Sequence, residues 1–313
     1  MSLHHHLVGR PSINRKNSHP LENYCNKKEK KILFYNNKEE NDDDFDDFTI
    51  ENFKIIDGRK FNNIEESCEF LPVDDKSMSI METVEVLSQH IWNGKFSSPV
   101  KETLKNGGAS VIDIGCGPAT WLIFMAEEFP KSSFVGIDIV IDLNDSKKEL
   151  PENLAVIRHN ILDGLPFPDD TFDFVHQKHM TQSLKIDQWS FVIDELIRIT
   201  KPGVMPYGLG PVGKRYMAGY GSIRESIEQK LMNSDKMVEI SNQARNFPLG
   251  GDGMTGEVLR TTIVGSLETA GPYISSFIGV SLEEYNEMIE QCAVENIKYK
   301  PYIKNFRISG KKR

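Results

Sequence analysis

An acidic residue and two closely spaced glycines mark the segment of this chain with the clearest chemistry. Asp113 lies in the apolar run 111–114, two residues before Gly115, and Gly117 follows. Glycine has no Cβ atom and tolerates positive φ angles, so a Gly-x-Gly turn lets a ligand approach the backbone closely. Between a strand and a helix, such a turn is typical of nucleotide sites. The spacing therefore predicts a ligand-binding turn at Gly115, Cys116 and Gly117.

Two classes of nucleotide compete for this turn. A dinucleotide requires Gly-x-Gly-x-x-Gly, and Thr120 occupies the third glycine position here. A pyrophosphate on the following helix N-terminus would also face the carboxylate of Asp113. S-adenosylmethionine carries an ammonium group, a sulfonium and no phosphate, so this carboxylate would not repel it. The residues favour S-adenosylmethionine, and an NAD-dependent oxidoreductase is the alternative.

A second acid, Asp138, ends the apolar run 134–138, 21 residues after Gly117. A carboxylate at this place could accept hydrogen bonds from both hydroxyls of an adenosine ribose. Because NAD carries the same ribose, Asp138 predicts an adenosine ligand and does not choose between the two cofactors.

Strands and helices alternate around these residues. Apolar runs predict four strands, and the helices between them are expected to end near Pro130 and at residues 201–203. The predicted strands cover residues 110–114, 134–139, 154–158 and 172–176. This alternation is typical of a mostly parallel sheet with helices on its faces. The predicted fold class is therefore α/β and Rossmann-like.

Further patterns extend on both sides of this region. Apolar residues at helical spacing predict a helix over about 78–93 and a short one over 99–104. The last third is expected to be mainly helical, with one helix opening at Ser281 and Glu284, which have capping-box spacing. Two late strands are predicted over residues 237–247 and 302–309.

Two more segments complete an ordered set of motifs. Residues 160–175 read NILDGLPFPDDTFDFV, and residues 196–203 read LIRITKPG. With the glycine turn and Asp138, these segments resemble the class I S-adenosylmethionine-dependent methyltransferases, and they stand in that family's order. The flanking helices also resemble methyltransferase-domain proteins of filamentous fungi. The resemblance covers about residues 109–203 and implies the class I methyltransferase architecture.

The resemblance also implies which residues bind the cofactor. The methionine part would be held by Asp113 and by the backbone of Gly115, Cys116 and Gly117. The adenosine part would be bound by Asp138, Ile139, Asn160 and Ile161, the first two at the ribose and the last two at the adenine. Asp163 is a rival of Asn160 for the polar contact, and turn capping is the structural alternative for Asp113, Asp138 and Asn160.

His176 and Gln177 are the candidates for catalysis, because the resemblance places them near the transferable methyl group. A structural role is the alternative for His176. Methyl transfer is an in-line displacement that releases a neutral thioether, so no acid is needed to protonate the leaving group. A general base is needed only if the acceptor keeps its proton at neutral pH. Much of the rate can come from alignment within a dry pocket.

Two positions depart from the family pattern. Ala119 stands where a third glycine is often found, and its small side chain predicts mild crowding if φ stays negative. Residues 204–211 read VMPYGLGP, where the family has a fifth strand of alternating apolar residues. Because proline lacks a ladder donor and glycine weakens a strand, we expect this fifth strand to be short or defective.

Composition limits the other function classes. The 313 residues include 37 Lys and Arg against 46 Asp and Glu, a formal net charge of -9. This charge argues against general binding to nucleic acid or to an anionic membrane. No apolar run approaches the ~20 residues of a membrane span, and no signal peptide is predicted. The four cysteines lie far apart, so neither a metal site nor a disulfide framework is expected.

The expected protein is intracellular, cytoplasmic or nuclear, and methylates a small-molecule or protein acceptor. Residues 1–75 are expected to form a flexible arm, because their charge blocks bury little apolar area. Residues 76–313 would form the methyltransferase domain, with a cofactor core at about 109–203 and acceptor-side helices and strands at about 212–313. The alternative function is a non-catalytic relative that binds cofactor or a protein partner.

Overall fold

The computed structural model describes residues 34–35, 53–64, 69–97, 100–140, 150–203, 205–207, 220–251 and 253–313. Its strands are β1 Phe34–Tyr35, β2 Phe53–Ile56, β3 Arg59–Asn62, β4 Ser110–Ile114, β5 Ser133–Asp138, β6 Leu154–Arg158, β7 Phe174–Gln177, β8 Met205–Tyr207, β9 Met237–Pro248 and β10 Tyr302–Lys312. Its helices are α1 Asp75–Trp92, α2 Lys101–Asn106, α3 Thr120–Glu128, α4 Trp189–Ile199, α5 Tyr220–Asn233, α6 Gly253–Thr269, α7 Gly271–Ile278 and α8 Leu282–Tyr299.

A five-stranded sheet with the order β1-β6-β5-β4-β7 lies at the centre of the fold. Strands β6, β5, β4 and β7 are parallel to their neighbours, and β1 pairs antiparallel with β6. The predicted α/β, mostly parallel fold is therefore confirmed. Strand β7 begins at Phe174 instead of the predicted 172, because Phe172 forms only an isolated bridge with Thr200.

The register of the sheet brings three strand ends together. Asp113 of β4 lies opposite Gly136 of β5 and His176 of β7. The backbone N–H groups of Gly115 and Cys116 donate to the carbonyl of Ile137, so the glycine turn stays bonded to β5. Because parallel strands point the same way, the turn and the ends of β5 and β7 share one edge, which we call the carboxyl edge.

Helices cover both faces of the sheet, and each face has its own apolar cluster. One face packs against α4 and α5, through residues such as Trp189, Leu196 and Leu231. The other face packs against α2 and α3, through residues such as Leu104 and Trp121. Continuous burial on both faces explains why the strands read as apolar runs instead of alternating patterns.

Strands β8, β10 and β9 form a second, antiparallel sheet in that order. The late strands predicted from the sequence are confirmed and are longer than expected. Among the described residues of the predicted fifth-strand segment, Met205–Tyr207 pair opposite residues 308–310 of β10. Strand β8 also lies next to β7, although the described residues form no ladder between these two strands. The remainder of the predicted weak segment, 208–211, lies outside the described residues.

The expectation of a flexible arm over residues 1–75 is wrong for the described part of 53–74. Strands β2 and β3 form a hairpin around Asp57 and Gly58, whose φ angles are 47° and 74°. Asp-Gly is typical of two-residue hairpin turns, because both positions adopt positive φ. Phe61 is fully buried, and Arg59 bonds both carboxylate oxygens of Asp74. Apolar burial and this ion pair therefore order a segment whose flanking charge blocks suggested disorder.

The predicted helices form with small shifts at their ends. Helix α1 begins after Asp74, whose side chain accepts from the Ser77 N–H, and it ends at a left-handed Asn93. Helix α8 has the predicted capping box between Ser281 and Glu284. Local capping chemistry thus sets these boundaries.

Candidate functional site

The glycine turn is built as the sequence predicts, except at Ala119. Gly115 and Gly117 have φ angles of 72° and 51°, in the region that favours glycine. A Cβ atom at Gly115 would collide with the thioether of Met180, and one at Gly117 would lie 3.7 Å from the Met81 sulfur. Ala119 has a φ of 55°, so the condition for mild crowding, a negative φ, is not met, and its backbone is strained.

Asp138 joins the turn to the end of β5. Its Oδ2 accepts from the Gly117 N–H at 2.8 Å, and its Oδ1 accepts from the Val140 N–H at 3.0 Å. Burial raises the pKa of this carboxyl to about 6. The two hydrogen bonds oppose this rise, and the charge of Glu69 adds to it. A carboxylate that is hard to ionise therefore lies directly beside the open turn.

Asp113 lies behind the turn and has a different environment. It is 4% exposed, and its Oδ1 lies 2.8 Å from Nδ1 of His176. The His176 ring stacks on Trp121 with a centroid distance of 3.9 Å and an angle of 7° between the rings. Burial raises the pKa of Asp113, and the facing His176 opposes this rise. The sequence placed both residues in the site but did not reveal that they bond each other.

Next to this pair, a buried ion pair attaches α1 to the carboxyl edge. The Lys178 ammonium donates to Oε2 of Glu85 at 2.6 Å, and Gln89 donates to Oε1 of the same carboxylate at 2.8 Å. Burial opposes ionisation of Glu85, but the charge and hydrogen bond of Lys178 outweigh it and lower the pKa to about 2. Met81, one turn before Glu85, lies over Gly117. The ion pair therefore holds α1 above the turn.

Sequence reasoning missed Glu85 and Lys178, together with Met81 and Met180 at the turn. Glu85 stands on a helix whose apolar residues suggested core packing alone. A charged residue on the inner stripe of α1 was the available signal, because a buried carboxylate requires a partner.

At the end of β7 and just past it, buried polar atoms of two side chains lack hydrogen-bond partners among the described residues. Gln177 is 1% exposed, and neither its Nε2 nor its Oε1 has a partner. His179 has a left-handed φ of 60°, and its buried Nε2 is also unpartnered. Burial lowers the pKa of His179 to about 3, helped by the charge of Lys178, so its imidazole is neutral.

The adenine-side residues lie one strand further along the sheet. Asn160 caps the 3-10 turn Ile161–Asp163, because its Oδ1 accepts from the Leu162 N–H at 3.0 Å. Ile161 is 8% exposed and belongs to the apolar cluster on the α4 face, whereas Ile139 is half-buried. The structural alternative for Asn160, turn capping, is therefore realised, and its amide nitrogen is not used by this bond.

Cys116 contributes backbone to the turn, and its thiol points into the fold. A Cβ atom at Gly136 would lie 2.7 Å from the Cys116 sulfur, so the thiol occupies space next to β5. Burial raises its pKa well above the usual value, and the charges of Asp138 and Asp113 add to this. The protonated thiol is therefore a packing group.

The two candidates for catalysis, His176 and Gln177, have different surroundings. His176 uses Nδ1 for Asp113 and one ring face for Trp121, and it is 5% exposed. This placement favours the structural alternative for His176. Gln177 stands at the end of β7 opposite Ile114, one residue before the glycine turn begins.

A groove of about 350 Å³ lies between α1 and α6, lined by residues such as Ile80, Thr83 and Val258. At 100° per residue, Thr83 lies on the side of α1 opposite Met81, so this groove opens on a different face of α1 from the one over the glycine turn. The described residues contain no cluster of metal-ligating side chains, and none of their helices is long and apolar enough to cross a membrane.

Known proteins resemble the same region. A family model described as a methyltransferase domain matches residues 111–203. The secondary metabolism regulator laeA of Coprinopsis cinerea is 26% identical over 149 residues, which are 47% of this chain and 36% of that protein. A demethylmenaquinone methyltransferase of Listeria welshimeri is 34% identical over 113 residues, or 33% of this chain and 47% of that protein. The chain thus spans less than half of the length of these curated relatives.

Solved structures resemble the chain over a wider range and with lower identity. Phosphoethanolamine N-methyltransferase 2 of Haemonchus contortus, in complex with S-adenosyl-L-methionine, is 15% identical with a TM-score of 0.42. The alignment covers 74% of this chain and 57% of that one. The matched residues of the family model, 111–203, include the glycine turn, the acid that ends β5 and the motifs up to residue 203. Residues 111–203 therefore match a methyltransferase domain, and this match supports a class I S-adenosylmethionine-dependent methyltransferase.

Proposed function

We propose that this chain binds S-adenosylmethionine at the carboxyl edge and transfers its methyl group to a small-molecule or protein acceptor. The proposal depends on the bond between Asp138 and the Gly117 N–H, which fixes a carboxylate beside the glycine turn. A carboxylate at this place can accept hydrogen bonds from a ribose diol, and the carboxylate of Asp113 behind the turn disfavours a phosphate there.

Different elements would bind different parts of the cofactor. The backbone of residues 115–117 would hold the methionine part, with the buried charge of Asp113 behind the turn. Asp138 would accept the ribose hydroxyls. Asn160, through its amide nitrogen, and Ile161 would lie at the adenine. The thioether side chains that cover the two glycines, Met81 and Met180, would exclude water from the turn.

Methyl transfer depends more on positioning the cofactor and the acceptor than on proton transfer. When bound, S-adenosylmethionine supplies a methyl group on a sulfonium whose departure leaves a neutral thioether. The residues of the carboxyl edge therefore need to bind, orient and exclude water. We assign His176 a positioning role, because its bond to Asp113 and its stack on Trp121 fix it within the core. A base is required only for acceptors that are protonated at neutral pH.

Replacing Asp138 by alanine tests the binding site. We expect the affinity for S-adenosylmethionine to fall by about tenfold or more, because hydrogen bonds to a charged carboxylate contribute ~1.5–3 kcal/mol each. Isothermal titration calorimetry measures this change. Asp187→Ala, at an exposed position before α4, is the matched control and should bind like the wild type. Absent binding by folded wild-type protein, or unchanged affinity in Asp138→Ala, would contradict the proposal.

A second candidate is a non-catalytic module that binds the cofactor. Two observations favour it: the fifth strand has three residues, and one relative carries the name of a regulator. Formation of S-adenosylhomocysteine in the presence of small-molecule or protein acceptors would reject this candidate. Competition between NAD and S-adenosylmethionine tests the remaining oxidoreductase alternative, which predicts that NAD displaces the methyl donor.

A further inference from the structure

Residues 69–74 connect the β2–β3 hairpin to α1 and are fixed at their carboxyl end. Pro72 bridges to Phe61, and the Val73 N–H donates to the Lys60 carbonyl at 2.7 Å. Asp74 pairs with Arg59 and also caps α1. The segment is thus held between the hairpin and the helix that lies over Gly117.

Glu69, at the amino end of this segment, reaches the carboxyl edge. Ser183 donates its hydroxyl to Oε2 of Glu69 at 2.7 Å. Ser183 directly follows the 3-10 turn Met180–Gln182, whose first residue lies against Gly115. Glu69 is therefore anchored on the element that covers the glycine turn.

The charge of Glu69 also acts on Asp138, the acid on the other side of the turn. This negative charge contributes to the raised pKa of Asp138, whereas it is not among the main influences on Asp113. Two carboxylates from distant parts of the chain thus influence each other electrostatically at the glycine turn. Like charges in a partly buried site repel each other, and a cation bound between them relieves this repulsion.

We propose that Glu69 is a further cofactor-binding residue, whose carboxylate faces the sulfonium of S-adenosylmethionine and favours this cation over the neutral product. This inference rests on the proposed function and adds a residue that the cofactor motifs do not contain. The sulfonium loses its charge when the methyl group leaves, so a nearby carboxylate attracts the methyl donor more than S-adenosylhomocysteine. The N-terminal segment would thereby help to distinguish donor from product.

The test compares two ligands in one variant. Glu69→Gln keeps the size and an oxygen acceptor but removes the charge. We expect its affinity for S-adenosylmethionine to fall about fivefold or more, while its affinity for S-adenosylhomocysteine stays within about twofold of the wild type. Isothermal titration calorimetry with each ligand gives the ratio. Glu127→Gln, at an exposed position on α3, is the control and should leave both affinities unchanged.

A second variant covers the case in which Glu69→Gln loses structure. Ser183→Ala keeps the carboxylate but removes the hydroxyl that anchors it, so the same ligand ratio should fall by a smaller factor. Equal losses for both ligands, or no loss for either, would overturn the inference. If the folded wild type binds neither ligand, the proposed function itself fails. If the wild type binds and Glu69→Gln binds equally well, only the role of Glu69 fails.

Discussion

The buried acids on the two sides of the glycine turn have different bonding partners. On the side of β7, Asp113 bonds His176, and Glu85 beside it bonds Lys178. On the side of β5, Asp138 bonds two backbone N–H groups and faces the negative charge of Glu69. We call these the β7 side and the β5 side.

This difference separates two roles that look identical in the sequence. Each acid follows apolar residues near the end of a parallel strand, so the pattern predicts the same ligand-binding role for both. A buried carboxylate with a cationic or imidazole partner stabilises the fold, whereas one with only backbone donors can still attract a ligand. The β7 side therefore positions the turn, and we expect the β5 side to bind.

The largest effect should come from breaking the charge compensation on the β7 side. Lys178→Met keeps the apolar stem but leaves Glu85 buried without a cation, which should cost about 3–5 kcal/mol in the free energy of unfolding. Urea denaturation measures this cost. The double variant Lys178→Met with Glu85→Met should recover most of the loss, because two apolar side chains of similar volume replace the pair.

An exposed ion pair provides the control for this experiment. Lys105 and Glu102 on α2 pair at 3.4 Å with side chains 52% and 77% exposed. Lys105→Met should change the stability by no more than about 0.5 kcal/mol. A loss in Lys178→Met no larger than that in Lys105→Met would show that the β7 side is not held by its ion pair.

A smaller effect should appear on the β5 side as a dependence on pH. The pKa of Asp138 is about 6 in the folded chain, against an ordinary value of 3.8 for an aspartate, so the folded state binds this proton more tightly. The contribution of Asp138 to stability is therefore full at low pH and is lost as the pH rises through 6. Between pH 5 and 7, we expect a loss of about 1–2 kcal/mol.

Asp138→Asn should remove this slope, because the amide does not ionise. Denaturation curves at several pH values between 5 and 7 compare the variant with the wild type. Glu85 does not interfere in this window, because its pKa is lowered to about 2. If stability changed equally with pH in both proteins, burial would not disfavour the ionised form of Asp138. The charge of Asp138 on the β5 side would then be compensated, as the charges on the β7 side are.

The sequence predicted the β5 side better than the β7 side, for a physical reason. The glycine turn and Asp138 are local features, and their geometry follows from strand ends and positive φ angles. The pairing of Asp113 with His176 depends on β4 and β7 being neighbours in register, 63 residues apart. Lys178 and Glu85 are 93 residues apart and come from different layers, so no spacing rule indicates their contact.

The β2–β3 hairpin and the fifth strand also show that sequence patterns do not reveal contacts between distant parts of the chain. Asp57-Gly58 is a local signal for a hairpin, whereas the expectation of a flexible arm rested on the neighbouring charge blocks. For β8, composition predicted a short or defective strand. Its partner, β10, lies about 100 residues later and could not be inferred from composition. Local chemistry thus predicted the elements, and only the tertiary structure revealed the partners.

The smallest effect on stability is expected for a substitution of Ala119, which lies between the β7 side and the β5 side. Ala119→Gly removes a buried methyl group, worth ~0.8 kcal/mol, but relieves a left-handed alanine that costs roughly 1–2 kcal/mol. Because glycine also has a more flexible unfolded state, the two terms nearly cancel, and we expect a change within about 0.5 kcal/mol.

Ala126 in α3, the helix that follows Ala119, is a matched control for this near-zero result. Both alanines are 1% exposed, but Ala126 lies inside α3 with ordinary helical geometry. Ala126→Gly should therefore lose the methyl burial and about 1 kcal/mol of helix propensity without any relief of strain. Equal losses in the two variants, measured by urea denaturation, would show that the turn holds Ala119 without strain. In that case the left-handed conformation of Ala119 would be intrinsic to the turn and would not be imposed by the hydrogen bonds of Asp138.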